Sequence, residues 1–111
     1  MIKEYFDLTK KYKMEYGQKT VVLYQVGQFM ELYALLEKDG TYSMNDIEDF
    51  TKINDMAIGH KHCQYDNKSV MMAGVGVPYV DKYIQRTQEH GYTIVIYKQD
   101  MDKKKHDAEL V

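Results

Sequence analysis

Apolar and polar positions alternate along this chain in two periods, and the switches between them mark its elements. Ile2, Tyr5, Phe6, Tyr12 and Tyr16 recur mostly three and four apart with lysines between them, which predicts an amphipathic helix over residues 2–16 ending at Gly17. The run TVVLYQV, residues 20–26, is apolar and β-branched at nearly every position and reads as a strand covered on both faces. Gly27 breaks it. In FMELYALLE, residues 29–37, Leu32, Leu35 and Leu36 return to helical spacing, so a second helix is expected, closed by a turn at Asp39-Gly40. Ser43 followed by Asp46 resembles a capping box ahead of a short helix that would bury Ile47, Phe50 and Ile53.

Beyond residue 55 the period changes again. Residues 56–61 and 69–75 read as two strands of a hairpin, with the polar stretch 64–68 as an exposed loop. Pro78 introduces a helix over 79–90 that places Val80, Tyr83, Ile84 and Thr87 on one face, and Gly91 closes it before the apolar strand YTIVIY, residues 92–97. Strands alternating with helices make this an α/β protein, a mixed β-sheet flanked by helices, with a parallel crossover spanning 70–97. Residues 1–99 then form the domain. The stretch 100–111 is a polar tail expected to fray or to begin a linker to further domains.

Composition restricts function more than fold. A length of 111 residues suits a single core and leaves little room for an elaborate catalytic apparatus, and 44% hydrophobic with 29% charged residues is ordinary globular usage. The first residues carry charges where a secretory signal needs an unbroken apolar run, and the lone Cys63 has no internal disulfide partner; an intracellular, reducing setting and no membrane are expected. A net charge of -2 argues against holding nucleic acid by bulk charge, so any DNA contact must be local. Lys10, Lys11, Lys13 and Lys19 flank the first strand and are candidates for phosphate contacts, whereas Glu37, Asp39, Asp46, Glu48, Asp49 and Asp55 should point away.

The candidate chemistry is sparse. Phe29 and Glu31 can project to one side only if residues 28–31 are extended, which the Gly27 turn permits. An exposed Phe at a strand end could wedge between stacked bases from the minor groove; the ordinary alternative is a core residue. A carboxylate such as Glu31 would be repelled among phosphates unless it meets a base donor or takes up a proton. His60, His62 and Cys63 crowd into four positions without a second ligand pair at a suitable distance, a weak metal signal. Gly74 and Gly76 lack the third glycine of a dinucleotide fingerprint and fit turn chemistry at a strand end better. Lys103, Lys104 and Lys105 could touch phosphate, although such a run is usually solvated. No nucleophile, base and orienter come together in sequence, and eleven tyrosines fall mostly on apolar faces.

The stretch VGQFMELY resembles the G-D-F-Y-E-L-F/Y signature of the MutS mismatch-repair family, whose N-terminal domain reads mispairs with Phe-x-Glu. MIKEY resembles the family's opening M-x-x-Y helix, INDMAIGHK its L-D-I-x-L-T-x-R, and residues 73–99 its A-G-F-P segment and closing helix and strand. Gln28 stands in place of Asp, Met30 of Tyr, Gly76 of Pro and Lys98 of Glu, and residues 38–54 match poorly. The resemblance implies a MutS N-terminal-domain-like fold and a non-enzymatic role. Phe29 would enter the minor groove at a mispaired or unpaired base and Glu31 would hydrogen-bond the base, with Gly27, Gln28 and Met30 supporting the loop. It implies mismatched double-stranded DNA as partner, together with other MutS domains and a second MutS subunit in a longer parent chain. No cofactor is expected in this segment; ATP and Mg belong to the parent's ATPase domain. A small metal-dependent nuclease around His60, His62 and Cys63, or a non-catalytic protein interaction module on the same fold, stay as alternatives.

Overall fold

The computed structural model describes residues 1–100 and 105–111. Its elements are α1 (Ile2–Tyr16), β1 (Thr20–Val26), β2 (Phe29–Leu36), β3 (Tyr42–Ser43), α2 (Ile47–Ile53), β4 (Gly59–Tyr65), β5 (Lys68–Gly76), a 3-10 turn (Val77–Tyr79), α3 (Val80–Glu89), β6 (Thr93–Asp100) and β7 (Lys105–Leu110). The strands form one mixed sheet in the order β4-β5-β2-β1-β6-β7, with β3 beside the far end of β2. β1 and β6 pair in parallel; every other pairing is antiparallel. β5 therefore runs parallel to β6 with β2 and β1 between them, so the expected crossover through α3 steps over two strands.

Each face of the sheet is covered by helix. On one face Tyr5 and Phe6 of α1 meet the rings of Tyr24, Tyr33 and Tyr65 edge-on or tilted. On the other, Met30, Leu32 and Ile94 are buried on the side covered by α2 and α3, which are joined through Asn54 Nδ2 donating to Thr87 Oγ1 at 3.0 Å. The tyrosines earn burial by having somewhere to donate: the Tyr5 hydroxyl donates to Val22 O at 2.8 Å and accepts from Asn45 Nδ2 at 2.6 Å. No helix among the described residues is long and apolar enough to cross a membrane.

Four expectations are corrected. The helix expected over 29–37 is β2, buried on both faces between β1 and β5, and an apolar run of that length fits either period until its neighbours are known. The five-residue loop 64–68 is a two-residue turn: Asp66 and Asn67 take φ of 54° and 59°, a conformation that Asp and Asn tolerate, and the strands run on to Tyr65 and Lys68. Asp46 does stand at the start of α2 but makes no side-chain cap, and Ser43 instead donates from β3 to Glu37. Within the tail expected to fray, residues 105–110 pair with β6, and the Val111 N–H donates to Ile94 O at 3.0 Å. Lys103 and Lys104 lie outside the described residues, as does the side chain of Lys105.

Candidate functional site

Gly27 and Gln28 are the whole connection between β1 and β2, closed by the Val26–Phe29 pair. Gly27 takes φ 59° and Gln28 does not follow it into the left-handed region, the sign pattern of a type II′ hairpin turn whose first position favours glycine. The tip is braced from two sides: Gln25 Nε2 donates to Gly27 O at 3.0 Å, and the Val77 N–H donates to Gln28 O at 2.8 Å. Met30, the third supporting residue, points to the opposite face and is buried there.

This tight turn places Phe29 at the end of the sheet, 54% exposed. Its partner on β5 is Gly76, and a β-carbon at Gly76 would stand 3.3 Å from the ring of Tyr79, which is itself 64% exposed. Two exposed aromatic rings thus flank one glycine. Gly76 ends β5 and opens the 3-10 turn, at the strand end expected of it, whereas Gly74 lies inside the strand; both leave space on the Phe29 face.

Glu31 lies two residues along on the same face, only 8% exposed. Its Oε1 accepts from the Tyr33 hydroxyl and from Lys61 Nζ at 2.9 Å. Lys61 also stands over the Tyr33 ring, 5.3 Å from its centroid. A β-carbon on the facing Gly74 would already touch Glu31 Cγ at 3.5 Å. Burial, and then the adjacent carboxylate, hold the Tyr33 hydroxyl far above the ordinary phenol range, so it remains a donor.

The four basic candidates are elsewhere. Lys13 Nζ donates to Gln18 O at 2.7 Å, and Lys19 Nζ donates to His90 O at 2.6 Å while standing over the Tyr92 ring. Both are at the Thr20 end of β1, roughly 20 Å along the strand from Phe29. Lys10 and Lys11 occupy the same C-terminal half of α1. Asp46 and Asp49, from the acidic segment, accept from the Tyr92 hydroxyl at that end too.

No group of three His, Cys, Asp or Glu among the described residues is placed to hold a metal, and the His60 and His62 rings stand 6.2 Å apart with Cys63 exposed. Sequence reasoning missed Lys61, Tyr33 and Tyr79. Alternation from Glu31 to Tyr33 would have suggested Tyr33 had residues 29–36 been read as a strand. Lys61 falls on the closing basic position of the stretch that resembles L-D-I-x-L-T-x-R, but nothing local ties it to Glu31; the β4–β5–β2 pairing brings it here, and Tyr79 follows from the end of β5.

Comparison with known proteins bears on the whole chain. It is 28% identical, over 96% of its length, to a protein of Acanthamoeba polyphaga mimivirus named as a DNA mismatch repair protein mutS homolog, and spans about 10% of that relative. The model of MutS domain I matches residues 1–111, and the chain belongs to that family.

Proposed function

We propose that this chain reads mispaired or unpaired bases in duplex DNA for mismatch repair. The observation that carries this function is the exposed Phe29 on a braced hairpin tip, with Glu31 on the same face two residues away, in a chain of the MutS domain I family. Phe29 enters the minor groove and stacks on one base while the duplex kinks; a mispaired step unstacks at lower cost than a matched one, by up to a few kcal/mol. Deformability rather than sequence is what is read, since a ring stacks on any base. Glu31 then hydrogen-bonds the displaced base. The chemistry is physical, and the chain itself catalyses nothing. ATP and Mg act in the ATPase of a longer parent, in which this chain, β7 included, is the mismatch-recognition domain beside other MutS domains. A second MutS subunit completes the DNA-associated assembly.

Alone, with a net charge of -2, the chain is expected to bind duplex no tighter than the roughly 10⁻⁴ to 10⁻⁶ M of non-specific contact. Low-salt titration of duplexes that differ only by one G·T mispair or one unpaired base tests the function. A preference for the mispair that vanishes in Phe29→Ala is expected; equal binding of matched and mispaired duplex would refute reading by this chain.

A further inference from the structure

We propose that Lys61 is a positioning residue: it is the counter-ion that lets Glu31 approach a base in the minor groove as a carboxylate, without first taking up a proton. This rests on the base-reading role proposed for Glu31 and deepens it. The difficulty it resolves is electrostatic. The minor groove has a negative potential, and an unpaired carboxylate entering it is repelled. In this fold the cation travels with the carboxylate.

Three features hold Lys61 to that task. The Lys61–Glu31 ion pair, at 2.9 Å, is largely shielded, with only 22% of the lysine and 10% of the glutamate side chain exposed. The β4–β5 ladder shifts register between His60 and Gln64, with His62 at φ 63°, and such a bulge re-aims the side chains beside it. The Tyr33 ring beneath the ammonium gives it a second hold. Both donors converge on Oε1, and Oε2 is not among the buried polar atoms that lack a partner, so it remains open to accept from a base N–H. Among the described residues the ionisable groups around the carboxylate are Tyr33 on its own strand, Lys61 on β4, Tyr24 across on β1, and Glu4 and Tyr5 of α1 behind those tyrosines; β5 faces it with Gly74.

The test is competition binding of the chain to a G·T duplex and its matched counterpart at low salt, at about pH 6 and about pH 8, where an ordinary carboxylate is ionised throughout. The wild type and Lys61→Arg should show the same mispair preference at both. Lys61→Met leaves a shielded carboxylate unpaired; it should lose about tenfold in mispair affinity at the higher pH and regain most of it at the lower, as the proton replaces the lysine. Glu31→Gln should be insensitive to pH. The double variant Lys61→Met/Glu31→Gln carries neither charge and keeps the test independent of whether Lys61→Met folds. Binding equal to that of Glu31→Gln supports the pairing, and a further tenfold loss overturns it by giving Lys61 a phosphate contact of its own. A Lys61→Met profile parallel to that of the wild type also overturns the inference while the Phe29 wedge stands. If Phe29→Ala keeps the full mispair preference, the mismatch reading itself fails, and the role of Lys61 with it.

Discussion

Phe29→Ala removes a ring that the fold half covers and DNA would finish covering. A phenylalanine buries on the order of 200 Å² when fully enclosed. With 54% of the residue exposed, roughly 100 Å² is left for a base to cover, worth about 2.5 kcal/mol at 25 cal/mol per Å². That falls within the ~1–3 kcal/mol of base–aromatic stacking and corresponds to a loss of about 50- to 100-fold. The loss should be confined to mispaired duplex, because on matched DNA the cost of unstacking keeps the ring from inserting. Fluorescence anisotropy with labelled G·T and matched duplexes at low salt reads both affinities, and thermal unfolding reads the fold. Phe29→Ala should unfold close to the wild type, whereas the equivalent truncation of Phe50, 1% exposed, should cost about 3–5 kcal/mol. An equal loss on both duplexes, or a stability loss as large as that of Phe50→Ala, would show that Phe29 is packing rather than wedge.

Three further outcomes follow from the same geometry. Gly27→Ala puts a β-carbon at φ 59°, which costs about 1–2 kcal/mol and should loosen the hairpin tip, seen as faster hydrogen exchange at the N–H of Val77, whose acceptor is Gln28 O. Asn45→Ala removes the donor to Tyr5 Oη and to Tyr33 O, and should cost about 1–3 kcal/mol in urea unfolding; an unchanged midpoint would mean that the buried amide contributes nothing net. Burial lifts the hydroxyls of Tyr5, Tyr24, Tyr33 and Tyr92 above the ordinary phenol value of 10.0. Because the unfolded chain loses those protons first, stability is full below about pH 10 and falls above it, by about 1.4 kcal/mol per pH unit for each tyrosine still protonated in the fold. A flat stability profile through that range would contradict the burial.

Much of this protein was settled by local pattern alone. Periodicity placed α1, β1 and the cores of α2 and α3, since each is long enough, or punctuated clearly enough by Gly17, Gly27 or Pro78, for one period to prevail. The order of residues around Phe29 and Glu31 already pointed to the family. What local pattern left open was everything that depends on pairing. FMELYALL has leucines spaced for a helix, and only the β1 and β5 ladders on either side make it a strand and turn Phe29, Glu31 and Tyr33 to one face. Residues 105–110 have little apolar content of their own and form a strand because β6 offers an open edge. Lys13 and Lys19, two of the four lysines that looked basic enough for phosphate, are drawn to carbonyls at the other end of the sheet, whereas Lys61 crosses 30 positions to meet Glu31. Propensity acts over a few neighbouring residues, but a buried charge is stabilised by whatever the register of the sheet brings against it, and that register is a property of the folded chain.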